Sequence, residues 1–226
     1  MNTKLIFAIV IILIAAFIGV MVVPNLKFGA TSANEAKAVA MLHMLAYQNQ
    51  AWKNKEMDGN GAKDFWTMDV SCLYRIVRRD GKERANLISR QLALADGAPY
   101  SRDNPMPLVL NRDANDLDDW GSTPELAREF TTTPYAGYFF RAMLTDETGL
   151  PYNQNPVGKN KVKACNTDKF AFVAYPAKYP DTGVNTYIVN ERNLVYGADR
   201  GSSEVILQWP AEPPTAISSI KWSSVD

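Results

Sequence analysis

The turn running from Glu56 to Asp64, in "KEMDGNGAKDFWT", sets oxygen side chains at the spacing of a calcium loop. Glu56, Asp58 and Asn60 fall at positions 1, 3 and 5, Gly61 at 6 and Asp64 at 9. This matches the first half of an EF-hand loop, where alternate oxygens and a glycine turn wrap Ca²⁺. Position 12 is Thr67 rather than the bidentate Glu, so a plain solvated turn is the competing reading. Calcium held here would pin the junction between a helix and the domain that follows. A second acid-rich loop carries Asp113, Asp116, Asp118 and Asp119 but no glycine at the turn position, which favours solvation. His43 is the only histidine, and no nucleophile motif accompanies it, so Ser-His-Asp or Cys-His chemistry is not expected. Neither G-x-S-x-G, a P-loop nor H-E-x-x-H occurs. Cys72 and Cys165 are too few for a zinc site. Outside the cytoplasm they could form one disulfide; two buried thiols are the alternative, since sequence does not show proximity. These residues do not add up to an enzyme.

The elements that would position such groups begin with an apolar run. Leu5 to Val23 holds 19 uncharged residues, nearly enough, at about 1.5 Å of rise each, to cross a bilayer core of roughly 30 Å. Lys4 gives the near end a positive flank, which places that end in the cytoplasm and everything after Lys27 outside. A cleaved signal would have a shorter apolar stretch and a prompt small-residue cut site. Here the nearest cluster, "GATSA", comes after Pro24, so an uncleaved anchor is expected. Pro24 predicts a kink rather than a stop. From Asn34 to Lys53, Val39, Met41, Leu42, Leu45, Ala46 and Trp52 make an apolar stripe, with Glu35, Lys37 and Gln48 mostly elsewhere. The reading is one long kinked helix from about residue 4 to 53, stopped by Gly59 and Gly61.

"IAAFIGVMVVPNL" followed by "SANEAKAVAMLHMLAYQ" resembles the N-terminal region of type IV pilins and pseudopilins over roughly residues 8–52. The resemblance implies a helix packed on a C-terminal antiparallel sheet and used for assembly. No Gly precedes Gly19 and no acid precedes Glu35, so the family's standard leader cleavage is not expected.

Further along, "VSCLYRI" reads as a strand or a short helix, and "ERANLISRQLALADGAP" as a helix. From Tyr135 the chain turns to strands: "YAGYFFRAML", "KFAFVAYPAKY", a hairpin with strands Thr186–Val189 and Leu194–Tyr196, and "EVILQWP". Short turns between them predict an antiparallel sheet, and the Pro-rich tail after it is expected to be loosely ordered. The block from "GYFFRAM" to "NLVY" also resembles an uncharacterised family of bacterial envelope proteins.

The expected fold class is therefore α+β: a long N-terminal hydrophobic helix packed on an antiparallel sheet head. Residues 1–30 would form the anchor, 31–56 the amphipathic half of the helix, and 57–226 an exported head. Lys+Arg and Asp+Glu balance at 24 each, which argues against a nucleic-acid partner. The expected function is a membrane-anchored, pilin-like structural subunit of a surface filament or secretion pseudopilus. It would be an inner-membrane protein with an exported head, or part of an extracellular filament. Pro24 and the small residues Ala30, Ala33, Ala36 and Ala40 would shape the assembly helix, with copies of the chain or other pilin-like subunits as partners. The alternatives are a monomeric, membrane-tethered module that binds a partner or sugar, and an anchored, metal-assisted enzyme.

Overall fold

The computed structural model describes residues 23–57, 62–75, 86–98, 132–154, 165–211 and 222–225, with side chains of the first helix from residue 29 onward. That helix, α1, spans Val23–Lys55. Ala38, Leu42, Leu45, Asn49 and Trp52 are buried along it, a four-three spacing that keeps one face turned inward. Pro24 sits in helical backbone, and the "GATSA" segment is helical too. The helix ends before Gly59. Glu56 takes a left-handed φ of 49°, its N–H bonds back to the Lys53 carbonyl, and the Met57 N–H reaches the Trp52 carbonyl. This pair of bonds is a Schellman stop, and Met57 is buried in the same core as Trp52.

The expectation of a long hydrophobic helix on the sheet is corrected here. The helix that lies on the sheet carries Lys27, Glu35, Lys37, Lys53 and Lys55. Among the described residues no helix is long and apolar enough to cross a membrane. The run Leu5–Val22 lies outside the described residues.

Seven strands and two short helices follow α1 among the described residues. β1 is Phe65–Trp66, α2 Cys72–Arg75, α3 Arg90–Leu94, β2 Tyr138–Ala142, β3 Cys165–Asn166, β4 Ala171–Pro176, β5 Asn185–Asn190, β6 Val195–Asp199 and β7 Ser223–Ser224. β1 and β3 pair with each other. The other five form one antiparallel sheet in the order β2-β4-β5-β6-β7. Alternation along the strands divides two cores. Phe140, Phe172, Ala174, Tyr187, Val189 and Val195 share a core with α1 and the 65–73 segment. Ala171, Val173 and Ile188 point the other way, onto Met143, Tyr152 and Trp209.

Both margins of this sheet carry a short partner. Residues 95–97 run along β2, with Phe140 N–H donating to Ala95 and Gly97 N–H to Phe140. β7 pairs with β6 at Tyr196 and Gly197.

Two sequence expectations differ. The helix expected from Glu83 is confined, among the described residues, to Arg90–Leu94, because Ser89 caps it by accepting from the Leu92 N–H. "EVILQWP" is not a strand of the sheet: the Leu207 carbonyl accepts from both Leu144 and Thr145, so the segment serves the 143–152 turn.

Candidate functional site

The polar side chains of α1 fix it to the head. Glu35 Oε1 accepts from the backbone N–H groups of Val184 (2.8 Å) and Asn185 (3.0 Å), at the start of β5. Asn34 donates to the Thr182 carbonyl, and Lys53 to that of Thr167. His43 Nδ1 lies 3.0 Å from Asn193 Oδ1, so the imidazole serves the helix–turn contact. Deepest is Asn49, fully buried, whose amide donates to the Trp66 carbonyl (2.8 Å) and accepts from the Trp66 N–H (2.9 Å). One side chain thus stands in for a strand beside β1.

The remaining sequence candidates fall in different places. Ala33, Ala36 and Ala40 are exposed. Of the calcium candidates, Asp58 and Asn60 lie outside the described residues, as do Asp113, Asp116, Asp118 and Asp119. Glu56 sits in the helix stop, while Asp64 is 1% exposed, an unusual place for a ligand to a solvent-borne cation. Among the described residues no group of three His, Cys, Asp or Glu is placed to hold a metal. Cys72 and Cys165 are buried in the same core as thiols rather than as a disulfide.

Two carboxylates not singled out from sequence sit inside the head. Asp96 Oδ2 accepts from Val70 N–H (2.8 Å) and Ser71 N–H (2.7 Å), and its Oδ1 from Ala98 N–H. Asp69 accepts from the Cys72 N–H, the Ser71 hydroxyl and the Trp66 indole. Burial first, then the charge of Asp69, pushes Asp96 up to about 7. Backbone donors occupy this pair, so its work is to hold the 66–72 segment in shape.

On the far face of the sheet a cleft of about 90 Å³ opens between the 146–152 turn and the β5–β6 turn. Tyr152, Trp209, Glu147, Lys169, Asn190 and Arg192 are among the residues that line it. Lys169 Nζ lies 3.2 Å from both Asp146 and Glu147. Burial would raise Asp146, but hydrogen bonds from Thr148, Lys169 and Leu150 hold it below the usual carboxylate range. Burial, then the nearby charges of Glu191, Glu147 and Asp146, push the Tyr152 phenol up, so it stays protonated.

Residues 113–208 match a family described as a protein of unknown function (DUF2950). The match takes in β2 to β6 and the walls of the cleft, with Trp209 just past its end. It includes the "GYFFRAM" to "NLVY" block. The N-terminal segment that resembles pilins is matched by no pilin family. No curated protein and no solved structure matches the chain.

Proposed function

We propose that the chain is a structural subunit of the cell envelope, pilin-like in the way it assembles through its N-terminal helix, and not an enzyme. One observation carries this reading. Gly29, Ala33, Ala36, Ala40 and Tyr47 are all exposed on α1. At 3.6 residues per turn they form a single stripe on the side opposite Ala38, Leu42, Leu45, Asn49 and Trp52. The outward stripe is almost free of bulk until Tyr47, which is 69% exposed. Small side chains let a second helix backbone come close. Polar bonds at Asn34, Glu35, Asn49 and Lys53 tie the helix to the head, so a helix-to-helix contact would fix where each head sits. The uncharged run Leu5–Val23 supports a membrane location for the preceding segment. The partners would be copies of this chain or other pilin-like subunits, with the head exported or displayed on a filament.

The test combines shearing with cross-linking. Cells expressing Ala36→Cys are oxidised, surface material is sheared off, and both fractions are analysed by mass spectrometry and non-reducing gels. The reading expects chain in the sheared fraction and covalent oligomers in the oxidised sample. Ala40→Arg in the Ala36→Cys background, a change at a neighbouring exposed position of the same stripe, should abolish both signals without shifting the melting temperature of the head. Chain confined to the membrane pellet, with no oligomers on oxidation, would overturn the proposal.

A further inference from the structure

The cleft on the far face has a property that the packing of the head does not require. Tyr152 is 3% exposed, Trp209 4% and Asn190 8%. Each ends in a donor that meets no acceptor among the described residues: the phenol O–H, the indole N–H and the amide N–H₂. The Asn190 oxygen is used, accepting from the Arg192 N–H, but its nitrogen is not. These tips are not sealed in the core, where the orphan atoms among the described residues are Trp52 Nε1 and Thr186 Oγ1. All three residues line the cleft. A donor at a cleft surface with no protein partner is open to water or to a bound molecule. Three such side chains, held by packing, line one cleft and are available to give their hydrogen bonds to a bound molecule.

We infer that this cleft is a binding site for a neutral, polyhydroxylated ligand the size of one sugar ring. Charge decides between ligand classes. Lys169 is shared at 3.2 Å between Glu147 and Asp146, and Arg192 lies 4.0 Å from Glu191, so each basic group already faces a carboxylate. An anion would have to displace the carboxylates, and a cation the ammonium and guanidinium. Hydroxyl groups both donate and accept, so they can bridge these pairs without breaking them. The walls supply acceptors at Glu147 and Glu191, while Tyr152, Trp209 and Asn190 supply the donors. The volume of about 90 Å³ holds roughly six to nine waters' worth of space, room for one ring.

This inference is independent of assembly through α1. Its test uses the full chain in a zwitterionic detergent free of sugar headgroups. The probes are methyl α-D-glucopyranoside, methyl β-D-galactopyranoside and N-acetylglucosamine, with acetate and ethylammonium as charged controls. Binding is followed by saturation-transfer NMR and by tryptophan fluorescence. The expected result is saturable binding of at least one sugar and of neither control. Tyr152→Phe removes only the hydroxyl and should weaken that binding about two- to twelvefold, the worth of one hydrogen bond, with the melting temperature unchanged. Arg192→Ala, at an exposed residue, provides a second variant that keeps the fold and should also weaken it. The inference fails if no sugar saturates at concentrations on the order of 10 mM. It also fails if a charged control binds in place of the sugars, or if Tyr152→Phe leaves sugar affinity unchanged.

Discussion

Asn49 is the side chain on which the seating of α1 depends most, and its replacement gives a two-part prediction. In Asn49→Ala, the Trp66 N–H and carbonyl both lose their partner in a site with no solvent exposure. Each buried group left unsatisfied costs about 1–3 kcal/mol, so the loss should be about 2–6 kcal/mol. That is a large share of the roughly 5–15 kcal/mol of a typical domain, and for a chain of this size it lowers the melting temperature on the order of 10 °C. Asn49→Asp separates the two bonds. Its carboxylate still accepts from the Trp66 N–H, but it sets a second oxygen where the amide donated to the Trp66 carbonyl at 2.8 Å. The neutral acid can donate there; the anion cannot. The folded state therefore binds the proton more tightly than the unfolded chain, whose Asp titrates near pH 3.9. Relative to the parent, this variant should lose stability as pH rises above about 4 and recover below it. Urea unfolding of parent and both variants, at about pH 3.5 and 7, on either side of that value, measures all of this. An Ala variant within about 1 kcal/mol of the parent at neutral pH, below the least cost expected, would refute the argument. So would an Asp variant whose deficit is the same at both pH values.

Other outcomes follow from the same structure. Asp96 titrates near 7 when folded and near 3.8 when unfolded, so the folded state holds the extra proton between these values. Its contribution should make the protein less stable as pH rises from about 4 to 7, by a few kcal/mol at most, and Asp96→Asn should flatten that slope in urea melts. The same variant should be weaker than the parent at about pH 5, within that window, because an amide nitrogen would face the donors of Val70 and Ser71 or of Ala98. A Cβ on Gly183 would overlap the Tyr138 ring and hydroxyl, so Gly183→Ala should cost about 1–3 kcal/mol in thermal unfolding. Gly29→Ala, in open helical space, should be neutral or stabilising by up to about 1 kcal/mol. With Asp64 buried, millimolar calcium is expected to leave the melting temperature unchanged, and a rise abolished by Asp58→Ala would show the opposite.

The sequence carried the helix face and the sheet because periodicity encodes them. Leu42, Leu45, Ala46 and Trp52 announce a helix with one buried side, and Phe170 and Phe172 announce an alternating strand. It did not carry the points where a tertiary bond overrides local preference. Gly59 and Gly61 looked like the helix stop, yet Glu56 makes the left-handed turn, which brings Met57 into the core that holds Trp52. Asn49 reads as a polar position and is the most deeply bonded residue of the helix. The cleft was illegible for another reason. Its residues come from the 146–152 turn, the approach to β4, the β5–β6 turn and Trp209, and nothing local marks them as neighbours.

The short partners on β2 and β6 have a consequence for how copies of this molecule can meet. An open outer strand is a template onto which another chain's strand can add. Here one margin is occupied by residues 95–97 and the other by Ser223–Ser224, with Val225 N–H closing onto the Val195 carbonyl. Main-chain positions around Phe140 and at Tyr196–Gly197 are thus already taken by the chain itself, which shortens the stretch of β2 and β6 open to another chain. Side-chain surfaces, such as the exposed Gly29, Ala33, Ala36 and Ala40 of α1, are then the places where an association of the proposed kind would form.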